Sequence, residues 1–202
     1  RRQRQMCIRD RRIGYPCVVK APTSKDGEGF SFVHSDADLA DAWRAADRGL
    51  GQGAVVERYI DFDFEATILA ARSIDPSTGE LATWFCEPIG TRHREGRLVE
   101  SWQPAPLPEA AMDNARSIAA RIVGAMASCG IFSVEMFVSG DDVYFSQVTP
   151  RPSRDGLVTF VTQRINQFDL QARATQRLPI DSTLISPGAV RFLEGHPSQA
   201  AL

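Results

Sequence analysis

Ser133-Val134-Glu135-Met136-Phe137 and Phe145-Ser146-Gln147-Val148-Thr149-Pro150-Arg151-Pro152 flank the short stretch Gly140-Asp141-Asp142. Two runs of β-branched and aromatic residues around a glycine–aspartate turn predict a hairpin. With those three residues as the loop, Ser139 pairs with Val143 and Glu135 falls opposite Gln147. Side chains facing each other across neighbouring strands sit roughly 5 Å apart at Cβ. Two oxygen ligands at that spacing can share a hard cation carrying nucleotide phosphates. Taken alone, the same pattern also describes an ordinary hairpin with its polar residues turned to solvent.

Upstream, Ile13-Gly14-Tyr15-Pro16-Cys17-Val18-Val19-Lys20 precedes the glycine-bearing loop Ser24-Lys25-Asp26-Gly27-Glu28-Gly29-Phe30. A lysine ending a buried strand before such a loop suits phosphate binding by charge and backbone N–H groups. A strand-end lysine snorkelling to solvent is the plainer alternative. No G-x-x-x-x-G-K-[ST] run is present, so this is not a P-loop. Val55-Val56-Glu57-Arg58-Tyr59-Ile60 then leads into Phe62-Asp63-Phe64-Glu65. In this order the segments resemble the ATP-grasp superfamily and, within it, most of all the formate-dependent phosphoribosylglycinamide formyltransferase family. The resemblance runs from Arg12 to Pro179 and includes the strings Glu100-Ser101-Trp102-Gln103-Pro104 and Pro150-Arg151-Pro152.

The first eleven residues, Arg1 to Arg11, read like a translated sequencing adapter and are expected to lie outside the fold. On that expectation the gene was cut at its 5′ end and an N-terminal domain is missing. Setting aside the stretch's five arginines and one aspartate leaves 18 basic and 24 acidic residues, a net charge of −6. That balance gives non-specific nucleic-acid binding no electrostatic footprint. Length and a 43% hydrophobic composition allow a substantial core. Cys17, Cys86 and Cys129 are widely spaced in apolar settings and are expected to be buried reduced thiols. No apolar run is long enough for a membrane span, and the default expectation is a cytoplasmic protein with no membrane partner.

The pattern predicts an α+β layout in two lobes, 12–60 and 61–179, with 180–202 the truncated start of a C-terminal region. In the first, strands over Pro16–Lys20, Phe30–Val33 and Ala54–Tyr59 surround a helix over Asp36–Ala46, capped by Ser35 and packed through Leu39, Ala42, Trp43 and Ala46. In the second, Phe64–Arg72 and Leu81–Cys86 pair around the turn Asp75–Gly79, and Arg92–Arg97 is a polar loop. Pro108 opens the longest helix, whose stripe is Ala111, Ala115, Ile118, Ile122 and Met126 and which ends near Gly130. Another helix is expected around Gln163–Arg173.

The resemblance implies the ATP-grasp fold, two α+β lobes clasping ATP, with Mg2+ as cofactor. It assigns Lys20 to the nucleotide phosphates and Lys25, Asp26, Gly27, Glu28, Gly29 and Phe30 to the loop covering them. The family loop carries a basic residue where this chain has Glu28. Glu57, Arg58, Tyr59 and Ile60 match the hinge strand that recognises adenine through its backbone, and Glu65 matches an acid at the ribose. An edge strand with alternating polar residues is the bland reading of those five. Glu135 matches the first magnesium carboxylate, and Gln147 stands where the family has a second. Glutamine keeps a coordinating carbonyl but lacks the charge, so metal affinity is expected to fall. Arg151 is expected to orient phosphate or acyl-phosphate oxygens.

After Pro152 the family has histidine and aspartate, the aspartate contacting glycinamide ribonucleotide. Here Ser153 and Arg154 stand there, with Asp155 displaced by one. Arg154 is expected either to bind a substrate phosphate or carboxylate or to be a solvated surface residue, and in its place an amine is expected to be repelled. His34, His93 and His196 have no ligand spacing and receive no role.

The implied chemistry is ATP-dependent activation of formate as an acyl phosphate and its transfer to the amine of glycinamide ribonucleotide in purine synthesis, by a homodimer when full length. Two alternatives stand beside it: a related carboxylate–amine ligase with an analogous amine as substrate, and a nucleotide-binding module without catalysis.

Overall fold

The computed structural model describes residues 13–22, 29–94, 97–126 and 128–193. The loop residues Lys25, Asp26, Gly27 and Glu28 and the first twelve residues lie outside them. The chain divides into two compact units, one running to Asp61 and taking in Arg94 and Arg97, the other holding the rest from Phe62 onward.

In the first unit, strands β1 (Cys17–Lys20), β2 (Ser31–Val33) and β3 (Val55–Arg58) form an antiparallel sheet in the order β2-β1-β3. Alternation along β1 sends Cys17 and Val19 to one face, where Val33 and helix α1 (Leu39–Asp47) cover them. The helix buries Leu39, Ala42 and Ala46, with Trp43 packed at the edge, as its spacing predicts. Its entry is fixed by Asp38, whose carboxylate accepts from the backbone N–H of His34 and of Ser35, each at 3.0 Å. These bonds hold the Asp38 carboxyl below its usual pKa.

The second unit is built on a seven-stranded sheet. Its main path is β10 (Gly188–Arg191), β7 (Arg97–Gln103), β6 (Ile89–Arg94), β4 (Phe64–Ile74), β8 (Gly130–Ser139) and β9 (Asp142–Thr149), with β5 (Leu81–Phe85) pairing with β4 beside that path. One face carries Ala66, Ile68, Ala70, Phe132, Val134 and Met136 under helix α2 (Glu109–Ala125). The residues α2 buries are Ala111, Ala115, Ala119 and Val123. The predicted stripe was displaced at Ile118, Ile122 and Met126, which pack half-buried at the margins. Only short side chains let the helix backbone approach the sheet, so bulk goes to the flanks. On the opposite face, Leu69, Ile89 and Ile131 pack against Val158 and Leu170. Those two come from a 3-10 turn (Asp155–Val158) and helix α4 (Gln167–Thr175), joined by the single helical turn α3 (Thr159–Thr162).

Three expectations need correction. Arg92–Arg97 is not a loop throughout: β6 runs to Arg94 and β7 begins at Arg97. The helix expected around Gln163–Arg173 is present but begins later, at Gln167–Thr175, because Gln163 ends the preceding turn with an extended backbone. Residues beyond 179 do not leave the fold at once, because β10 pairs with β7 from Gly188↔Gln103 to Arg191↔Glu100. Among the described residues no helix is long and apolar enough to cross a membrane.

Candidate functional site

The site in the second unit is a row of polar side chains on one face of three adjacent strands. In β4, Glu65 and Thr67 share the face that Leu69 occupies further along, because side chains alternate. Thr67 pairs with Glu135 of β8, and Glu135 pairs with Gln147 of β9. The Gln147 amide donates from Nε2 to Glu135 Oε2 at 2.7 Å.

That register was reached by a route the sequence did not indicate. The turn is one residue tighter than expected: Ser139 pairs with Asp142 and Val138 with Val143. A bulge after Met136↔Phe145 then inserts Ser146 and restores Glu135↔Gln147. The tight turn is supported by Gly140, whose φ of +56° is left-handed and whose N–H donates to Asp63 Oδ2 at 2.8 Å.

Two residues given no role complete the row. His93 of β6 shares its face with Thr91, the partner of Glu65, and its Nδ1 contacts Glu65 Oε2. Asp155, 6% exposed at the start of the 3-10 turn, accepts from Thr67 Oγ1 at 2.8 Å. By its place after Pro152, Asp155 reads in sequence only as a displaced acid, with Arg154 in its stead. In the folded chain Asp155 turns inward to the carboxylates, while the exposed Arg154 lies with Cζ 4.9 Å from the Phe192 ring centre. The only sequence signal for Asp155 was its nearness to Pro150-Arg151-Pro152; His93 gave none, since strand pairing alone brings it to Glu65.

Crowded carboxylates shift one another. Burial, with the Asp155 charge behind it, pushes the Glu135 carboxyl up to about 7, against the opposing pull of the Gln147 bond and His93. Burial raises Asp155 too, opposed by the Thr67 bond and His93. Burial works against a charged His93, yet the hydrogen bond and charge of Glu65, with Asp155 and Glu135 beyond, carry its pKa above the ordinary value.

In the first unit the structure brings Lys20 and Glu57 together. Lys20 Nζ donates to Glu57 Oε2 at 2.5 Å, a diagonal contact on the face shared with Val18, which pairs with Glu57 two residues before Lys20. Gly29 accepts from Ala21 N at 3.0 Å with a φ of +74°, and an added Cβ there would meet Ala21 Cβ at 2.9 Å. Phe30, Phe32 and Tyr59 make a chain of edge-on aromatic contacts with centroids 4.9 and 5.8 Å apart. Tyr59 N donates to Pro16 O; Arg58 ends β3, and Ile60 follows half-buried. In the second unit, Arg151 is exposed, its Nη1 donating to Pro152 O.

Residues 2–168 match the ATP-grasp domain family, and the chain belongs to that family. It is similar to the formate-dependent phosphoribosylglycinamide formyltransferase of Corynebacterium jeikeium (strain K411), at 59% identity over 180 residues, covering 88% of this chain and 44% of that protein. Among solved structures it is similar to the glycinamide-RNase-transformylase T of Mycobacterium tuberculosis, with a TM-score of 0.74, 36% identity, and coverage of 93% of this chain and 49% of that one. An N5-carboxyaminoimidazole ribonucleotide synthetase solved as an ADP complex gives a TM-score of 0.81 at 27% identity, covering 93% of this chain and 48% of that one. The chain thus spans about half the length of these relatives.

Proposed function

We propose that this chain is the nucleotide-handling part of a formate-dependent phosphoribosylglycinamide formyltransferase, using ATP with Mg2+. The observation that carries the reading is the alignment of Glu65, Glu135 and Gln147 on one sheet face, in the strand order β4-β8-β9. The names of the similar proteins, and the ADP bound by one of them, support it.

The donor set fits a hard cation in part. Glu135 and Gln147 offer oxygen ligands, and a cation would offset the burial and the Asp155 charge that raise the Glu135 carboxyl to about 7. The Gln147 amide would turn over so that its carbonyl, not its N–H, faces the ion. Among the described residues no group of three His, Cys, Asp or Glu is placed to hold a metal alone. Phosphate oxygens would complete the shell. Bound Mg2+ would neutralise phosphate charge during transfer.

The chain's own residues orient and balance charge. Lys20, Gly29, Phe30 and the loop residues Lys25, Asp26, Gly27 and Glu28 are assigned to the phosphates; Glu57, Arg58, Tyr59 and Ile60 to adenine; Glu65, steadied by His93, to the ribose. A formate oxygen attacks the γ-phosphorus, and the bond to the β–γ bridging oxygen breaks as ADP leaves. The amine nitrogen of glycinamide ribonucleotide then attacks the formyl carbon and loses a proton as phosphate departs. Arg151 is assigned to the acyl-phosphate oxygens. Asp155 supports an amine-bearing acceptor, since it keeps an acid on the site face despite Arg154. The reading carries a cytoplasmic address and, for the whole protein, a homodimer.

A carboxylate–amine ligase with another substrate is the second reading, favoured by Gln147 at a carboxylate position. Calorimetric titration of Mg-ATP into the chain, with Glu135→Ala as control, tests the common ground. Binding that the control abolishes is the expected result; binding indifferent to Glu135 removes this hairpin from the metal role. In the whole protein, phosphate release requiring both formate and glycinamide ribonucleotide is expected, and release indifferent to formate selects the second reading.

A further inference from the structure

The loop that delivers Asp155 to the site face has no strand partner of its own, and one buried side chain takes that part. Gln167, at the start of helix α4 and 0% exposed, meets the Ser153 backbone twice. Ser153 N donates to Gln167 Oε1 at 3.0 Å, and Gln167 Nε2 donates to Ser153 O at 2.8 Å. A planar amide with one acceptor and donors beside it imitates a neighbouring strand. The far end of the clamp is also fixed: Gln167 N donates to Thr159 Oγ1 at 3.0 Å, and that hydroxyl donates to Gly156 O at 2.6 Å. Gly156 leaves room for this amide: an added Cβ would stand 2.1 Å from Gln167 Oε1 and displace it. With Ser153 held, its hydroxyl lies 2.9 Å from Ser133 Oγ on β8, and Asp155, two residues on, reaches Thr67 on β4.

We infer that Gln167 is a positioning residue that clamps Ser153 by both its N–H and its C=O, and thereby sets Asp155 on the site face beside Glu135. The inference rests on the reading of that face as the Mg-ATP site, but the clamp itself is open to test without it. Gln167 touches no reacting atom; it acts through Asp155.

The test uses the whole chain as wild type, Gln167→Leu, Gln167→Glu, Asp155→Asn, the double variant Gln167→Leu/Asp155→Asn, and Val123→Ala. The last removes buried volume under α2, on the opposite sheet face, as a control for general destabilisation. Amide hydrogen exchange at Ser153 should quicken at least tenfold in Gln167→Leu, the order expected for a lost buried hydrogen bond, and stay near wild type in Asp155→Asn and Val123→Ala. Gln167→Glu carries its own signature: a carboxylate can accept from Ser153 N–H but can donate to Ser153 O only when protonated. Its Ser153 protection should therefore approach wild type in acid and fall in alkali to a level between wild type and Gln167→Leu. The ionised carboxylate keeps the N–H bond but faces Ser153 O without a proton to donate. Mg-ATP affinity should fall about tenfold in Gln167→Leu and in Asp155→Asn, with no further fall in the double variant, because the two act through one group.

Unchanged Ser153 exchange in a folded Gln167→Leu overturns the clamp. Should that variant not fold, a Gln167→Glu protein whose Ser153 protection, relative to intrinsic exchange at each pH, is the same in acid and in alkali overturns it instead. Additive losses in the double variant overturn the route through Asp155. A wild-type chain that binds no Mg-ATP defeats the functional reading, while the exchange measurements still decide the clamp.

Discussion

At Gln147, where the family resemblance implies a second metal carboxylate, the chain carries a neutral amide, and the consequence runs in opposite directions with and without a metal. Gln147→Glu adds a second carboxylate against Glu135 Oε2, which now accepts the amide hydrogen bond. Without metal, that swap replaces a donor by a repelling charge and should cost about 1 kcal/mol of stability. With Mg-ATP it should tighten binding about tenfold, or about 1.4 kcal/mol, by restoring an anionic ligand. A thermal melt and a calorimetric titration of the same protein check both signs; unchanged Mg-ATP affinity would remove position 147 from the metal shell. A second expectation concerns Cys86, whose thiol burial pushes up to about 11, its Sγ lying 3.6 Å from Gln163 Oε1. Since the thiolate is the reactive form, Cys86 and the fully buried Cys17 should resist alkylation at pH 8 while the half-buried Cys129 is labelled, as peptide mass spectrometry would show. Glu135 and Gln147 were legible because local pairing opposes them across one turn. Asp155 and His93 were not, because each reaches the row by folding over distant strands, Asp155 bonding to a residue 88 positions away.

Elements were legible where one period dominates and obscure where two faces make different demands. The α1 stripe and the β4 and β8 runs show in the pattern because each buries a continuous apolar set. The β6–β7 pair hid because its polar residues find partners across strands, Arg92 with Glu100 of β7 at 3.1 Å and His93 with Glu65 of β4, which in sequence reads as a hydrophilic loop. The hairpin register came out right at Glu135 although the turn is shorter than expected, since the Ser146 bulge supplies the missing residue. Neither deviation leaves a trace in the alternation. The close fit of β6 and β7 yields a test of packing. A Cβ on Gly90 would lie 2.2 Å from Trp102 Cε2, inside its indole. Gly90→Ala should therefore destabilise by about 1–3 kcal/mol, the range for overpacking a filled core. Adding Trp102→Leu should recover part of the loss in urea denaturation. A Gly90→Ala protein as stable as wild type would mean that the indole is free to move aside.

On the scale of the whole molecule, the cluster on the second unit's sheet makes stability depend on pH with a definite sign. A carboxyl whose folded pKa exceeds its unfolded value binds more protons when folded, so stability falls as pH rises between the two. For Glu135 that window runs from 4.5 to about 7, and Asp155, raised from 3.8, adds loss in the same direction. His93 is raised as well; its contribution is full below 6.5 and vanishes as pH climbs through the folded value. All three therefore favour the metal-free fold in mild acid. Asp38, Asp75 and Asp181 are lowered from 3.8 by local hydrogen bonds, and their contribution is lost only as pH falls through their folded values. Metal-free chain should then be most stable near pH 5 and weaker at pH 8 by on the order of 1–3 kcal/mol. Glu135→Gln, which keeps the shape without the charge, should flatten most of that slope when denaturation midpoints are compared at pH 5, 6.5 and 8. A wild-type slope of opposite sign, or one that Glu135→Gln leaves unaltered, would place the charge strain elsewhere. Saturating Mg-ATP should flatten the slope as well, because a cation relieves the same carboxylates. Its binding at pH 7 should release protons, read as an enthalpy that varies with the ionisation heat of the buffer.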